Sequence, residues 1–72
     1  MVKLIPLRPK EIEIILKKNN FYLHHTTGSH RQYRSEATKS FVTVPFHSRT
    51  IPPGTLRSII RQSGLPIAMF RK

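Results

Sequence analysis

Cysteine is absent from this chain of 72 residues, and so is tryptophan. Without thiols there is no disulfide and no thiolate metal site. Acidic residues are almost as scarce. Glu11, Glu13 and Glu36 stand against 13 lysines and arginines, for a formal charge of +10. Three carboxylates, none of them next to a histidine in the sequence, supply neither a metal-ligand set nor the acid pair of a two-carboxylate mechanism. No metal and no other cofactor is expected. Long apolar runs are missing, and nothing approaches the ~20 residues a membrane helix needs. The first residues hold one lysine and then Pro6 and Pro9, which is not a signal-peptide pattern, so no membrane and a cytoplasmic location are expected. Internal repeats and low-complexity segments are absent too.

What is present is enough for a single small domain spanning residues 1–72. A chain of this size buries only ~60% of the surface it exposes when unfolded, so its stability should be modest. A charge of +10 on so small a body repels itself, and a polyanionic or acidic partner relieves that repulsion. Nucleic acid is the first candidate, and an acidic protein is the second. A membrane surface ranks below both, because no segment pairs a broad apolar face with a lysine-rich one.

Taken in order, Met1 to Leu7 reads as an extended lead-in that packs Leu4, Ile5 and Leu7 on the core. Pro9 suits the first turn of a helix, where its missing N–H is no loss. The spacing of Ile12, Ile15 and Leu16 predicts a helix over Lys10 to Asn19, with Ile14 off the stripe. Glu13 and Lys17 stand four apart in the favourable order for an ion pair. Asn20 is able to take the left-handed conformation that closes a helix. Phe21 to Thr26 and His30 to Arg34 read as two strands joined at Thr27-Gly28-Ser29, with Tyr33 facing the core and His30 the solvent. Ser35 to Ser40 reads as a loop or a wider hairpin turn. Phe41 to Phe46 is a third strand that ends, or lies at an edge, because Pro45 has no N–H for a ladder. Leu56, Ile59 and Ile60 mark a second helix over about Thr55 to Ser63, capped by Gly64. A last apolar stretch, Leu65 to Phe70, is expected to lay Ile67 and Phe70 over the core. The reading is an α+β domain of order α-β-β-β-α, with two helices on one face of a three-stranded antiparallel sheet.

The hairpin turn carries the chemistry. Gly28 takes positive φ without a steric cost, which lets a phosphodiester approach the backbone, and Ser29 has a hydroxyl to donate. His30 follows on the first residue of the returning strand. Imidazole takes or gives a proton near neutral pH, so two readings stand: a catalytic acid or base, or a turn histidine bonded to nearby backbone. Arg31, Arg34, Lys39, Arg49, Arg57 and Arg61 are candidate phosphate contacts as a set, although any one alone is read as a solvated surface charge. Tyr22 and Phe46 are able to stack on bases, but aromatic residues on strands are assigned to the core. His24 and His25 are adjacent, so alternation points them to opposite faces of a strand, and they are read as surface residues.

These residues resemble the HicA family of bacterial and archaeal toxins, ribonucleases that cleave messenger RNA. The resemblance rests on the N-terminal helix, on Gly28-Ser29-His30 with the alternating strand after it, and on Val44-Pro45-Phe46-His47. It continues through Gly54-Thr55-Leu56-Arg57-Ser58-Ile59-Ile60-Arg61-Gln62-Ser63-Gly64 to Phe70. One departure is Asn20, where the family often has glycine before the phenylalanine. The resemblance implies a fold like the double-stranded RNA-binding domain, His30 as the catalytic residue, and a HicB-family antitoxin that blocks the active face. His47, just past the third strand, is the best candidate for a complementary acid, with a loop histidine or an antitoxin contact as the competing reading. The expected function is a metal-independent endoribonuclease acting as the toxin of a toxin–antitoxin pair. Its rivals are a non-catalytic RNA-binding module of the same fold and an adaptor whose charge serves only a protein or DNA partner.

Overall fold

The computed structural model describes residues 6–46 and 49–70. The expected positions of Leu4, Ile5 and His47 lie outside these. Helix α1 runs Pro9–Lys18 and α2 runs Pro53–Ser63, each with proline in its first turn. Between them lie β1, Tyr22–Thr27, β2, His30–Ser35, and β3, Ser40–Pro45, and a short 3-10 turn, Ile67–Phe70, closes the chain. The sheet order is β1-β2-β3, antiparallel throughout. The expected α-β-β-β-α order is therefore the observed one.

Both helix ends follow from local chemistry. The Glu11 carboxylate accepts from the Arg8 backbone N–H at 2.8 Å and satisfies a donor just ahead of α1. At the other end Asn20 takes φ 68°, and the chain doubles back. The Phe21 N–H then reaches the Leu16 carbonyl at 3.0 Å, while the Asn20 N–H reaches that of Lys17 at 3.4 Å. This is the Schellman pattern, and its usual apolar contact is here Phe21 with Leu16, both buried. Gly64 closes α2 at φ 71°.

Register places Tyr33 opposite Val42 and Arg31 opposite Val44, so these four share one sheet face. Ile12 and Leu16 from α1, Leu56 and Ile59 from α2, and Leu7, Phe21, Ile51 and Phe70 complete the core on that face. Leu7 and Ile51 are also tied through backbone, Ile51 N–H to Leu7 carbonyl at 2.8 Å. The opposite face is open, and His30, Gln32 and Arg34 stand on it opposite Pro45, Thr43 and Phe41. The radius of gyration, 11.2 Å, matches the ~11 Å that a compact domain of this length should have.

Several local expectations are corrected. Ser35 and Ser40 pair as the last rung of β2 and β3, so the connection shrinks to Glu36 through Lys39, where Lys39 takes φ 60°. Ile67 is exposed while Phe70 is buried: the two share a side of the 3-10 turn, but only Phe70 reaches the core cluster. Ile15 and Ile60 flank the core half-buried. Every residue of β1 is exposed. The helices pack on the β3 side, leaving this edge strand uncovered, so Tyr22, assigned to the core, is 41% exposed.

Candidate active site

The turn between β1 and β2 has two residues, Gly28 and Ser29, between the paired Thr27 and His30. A hairpin this short matches the twist of its strands only with positive φ in the loop, and Gly28 supplies φ 57°. A Cβ built there meets nothing within 4 Å, so the space beside the turn is open. His30 is exposed at the start of β2. The turn is anchored from behind: the Phe46 N–H donates to the Ser29 carbonyl at 2.6 Å. Pro45 pairs with His30 but has no N–H, so the bond that closes the sheet here falls to the next residue.

Arg31 emerges on the helix-covered face. Its guanidinium donates to Glu13 Oε2 at 3.1 Å and lies over the Phe46 ring at 4.1 Å from the centroid. Glu13, the i,i+4 partner of Lys17, is 5% exposed, and it also accepts a hydrogen bond from the buried Tyr33 hydroxyl and pairs with Lys10 at 3.6 Å. Burial raises the Glu13 carboxyl, but the Tyr33 hydroxyl and the nearby Lys17, Lys10 and Arg31 charges outweigh it and hold the group below its usual value. Tyr33 is pushed far above its usual value, first by burial and then by its bond to Glu13, so it stays a neutral donor. Glu13 stands three residues before the buried Leu16, a spacing that shares a helix face, but its partners Arg31 and Tyr33 come from β2.

Around Phe46 opens a groove of about 510 Å³ lined by Arg8, Pro9, Lys10, Arg31, Phe46 and Arg49. Four cations from the start of α1, from β2 and from the connection after β3 thus share one concavity. Arg31 and Arg49 were among the candidate phosphate contacts. Arg8 and Lys10 were not, because only the fold brings the head of α1 beside the end of β3. Phe46, assigned to the core, is half-buried in the groove wall.

The other candidates are placed elsewhere. Arg34 shares the open face with His30, but it is engaged, 3.1 Å from Glu36 and over the Phe41 ring at 4.8 Å. Lys39 pairs with the same Glu36. Arg57 and Arg61 stand exposed on α2, which packs chiefly against β3. The pairing of β1 with β2 slips between Leu23 and His25, and this bulge cancels the alternation expected of the two histidines. His25 sits opposite Gln32, and the His24 ring meets the rings of Tyr22 and Phe41 edge-on, so both belong to the open face.

Among the described residues no group of three or more His, Cys, Asp and Glu side chains could hold a metal ion, and no helix is long and apolar enough to cross a membrane. No curated protein matches the chain. A family model described as HicA toxin of bacterial toxin-antitoxin matches residues 9–65, from the first residue of α1 to just past Gly64. That span holds the Gly28–His30 turn, the Glu13–Arg31 pair and the whole of α2, and the chain accordingly belongs to the HicA toxin family, the toxin half of a toxin–antitoxin system.

Proposed function

We propose that this toxin is an endoribonuclease that cleaves messenger RNA without a metal, with His30 as its general acid or base. The observation that carries the reading is the exposed imidazole of His30 on an open turn, backed by a groove with four cations. In the reaction a ribose 2′-hydroxyl attacks the adjacent phosphorus and the 5′-oxygen leaves, forming a 2′,3′-cyclic phosphate. As base, neutral His30 takes the 2′-hydroxyl proton while water protonates the leaving oxygen. As acid, protonated His30 supplies that second proton and water takes the first. The phosphorane gains a negative charge on the way, which a lysine or arginine near the turn stabilises. Gly28 lets the phosphodiester approach, and Ser29 donates to it. Arg34, Arg57 and Arg61 extend the positive field that draws RNA in.

All three carboxylates already have structural work. Glu11 bonds to the Arg8 N–H, Glu13 holds Tyr33 and Arg31, and Glu36 accepts from Tyr22 and pairs with Arg34 and Lys39. This supports a route through imidazole and guanidinium. The partner follows from the family: a cognate antitoxin, which we assign to the HicB family and expect over the active face.

His30→Ala should abolish RNA cleavage and growth arrest while leaving the fold and RNA binding intact, since no core contact is removed. The wild type should cleave in excess chelator, leave 2′,3′-cyclic phosphate or 3′-phosphate ends, and spare 2′-O-methyl RNA. Cleavage by His30→Ala at the wild-type rate would overturn the assignment. RNA binding without cleavage by the wild type would leave a non-catalytic RNA-binding module.

A further inference from the structure

We propose that the groove of Arg8, Lys10, Arg31, Phe46 and Arg49 is a second RNA subsite, which holds the phosphate backbone of a single strand next to the bond being cut. The inference rests on the nuclease reading above and adds to it where the strand runs.

Three observations carry it. First, the four cations come from separate parts of the chain and converge on one concavity, where they outnumber the nearby carboxylates, Glu13 on Lys10 and Arg31 and Glu11 on the Arg8 N–H. Like charges gathered this closely repel unless an anion joins them. Second, Arg31 is ordered before any ligand arrives. One Nη is fixed on Glu13 and its plane is stacked on Phe46, so its remaining N–H groups are presented at little entropic cost. Third, the groove is mechanically joined to the turn. Phe46 in its wall bonds to the Ser29 carbonyl, and Pro45 is the cross-strand partner of His30. A strand whose scissile phosphate lies at the turn can therefore continue past Phe46 into the groove.

An acidic protein is the competing occupant. At about 510 Å³ the groove has the size of a site for one small group or a short strand. A protein interface of ordinary size needs ~800 Å² on each side, and a concavity this small offers only part of that. An ordered guanidinium fork takes phosphate and carboxylate alike, so the size of the groove decides between the two occupants.

The test uses the whole chain and a 2′-O-methyl oligoribonucleotide that cannot be cut. Its affinity is measured from 50 to 200 mM salt for wild type, for Arg8→Ala/Arg49→Ala, and for Arg57→Ala/Arg61→Ala. For single strands each phosphate contact contributes about 0.7 to the slope of log affinity against log salt. Loss of two contacts should lower the slope by about 1.4, so that the groove variant loses about sevenfold less affinity than wild type over that fourfold salt range. The α2 variant should keep more of the wild-type slope. In the wild type the same oligomer should shift the backbone amide signals of Arg8, Lys10, Phe46 and Arg49, a readout that needs no variant. If wild type cleaves RNA while the groove variant keeps the full slope and those amides stay unmoved, the groove is off the RNA path and the inference fails alone. If the groove variant instead loses only its grip on the antitoxin, the site belongs to that protein and the inference also fails. A wild type that neither binds nor cleaves RNA overturns the nuclease reading itself.

Discussion

Glu13 shows how one side chain can join stability to function. Its carboxylate receives a buried tyrosine hydroxyl and an arginine that lines the groove. Because its pKa is held down in the folded state, unfolding raises it, and the unfolded chain binds the proton first as pH falls. The stabilising contribution is therefore complete above the usual value of 4.5 and is lost as pH drops through the lower folded value. Glu13→Gln keeps an oxygen for Tyr33 and Arg31 but has no proton to take up. Thermal melts of the variant should fall less steeply than wild type below about pH 4.5, with a residual slope from Glu36, whose carboxyl is also held down. Equal slopes would mean that Glu13 is not a source of the acid sensitivity. At neutral pH Glu13→Ala should be the worse variant, since an unsatisfied Tyr33 hydroxyl costs about 1–3 kcal/mol.

At the level of elements, the β1–β2 hairpin depends on one backbone angle. Gly28 is left-handed with empty space where a side chain would stand, so a substitution there is strained but not blocked. Gly28→Ala should cost about 1–2 kcal/mol from backbone strain alone. For a domain of this size 1 kcal/mol shifts Tm by roughly 4–8 °C. Gly28→Asn should cost less, because asparagine visits that region more readily. An alanine variant as stable as wild type would show that the turn relaxes to another geometry. Asn20 demonstrates the same tolerance: a residue other than glycine closes α1 at φ 68°.

For the whole molecule, charge sets the terms of partnership. A carboxylate-bearing antitoxin should associate fast and in a salt-sensitive way with a body of +10. An interface of ordinary size takes ~800 Å² from each side, about a sixth of the 4895 Å² this chain exposes. A patch of that size centred on His30 spans the hairpin, so the antitoxin should protect the backbone amides of Thr27 to Tyr33 from hydrogen exchange and exclude RNA. A stable, inhibited complex in which those amides exchange as in the free toxin would place the inhibition elsewhere.

The residue pattern alone determined the order of elements, the closing roles of Asn20 and Gly64, and the exposure of His30 beside a left-handed glycine. Each of these rests on local chemistry: apolar spacing, backbone freedom and the period of a strand. The tertiary structure decided what depends on distant segments meeting. It turned Glu13 inward to Arg31 and Tyr33, a partnership 18 and 20 residues away that no local spacing announces. It left β1 uncovered because the helices settle on the β3 side, and it used a bulge to bring His24 and His25 to one face. It also set Arg8 and Lys10 beside Arg31, Phe46 and Arg49. A cation's sequence position says that it is charged, but only the packing of α1 against the sheet says which other charges it must share a groove with.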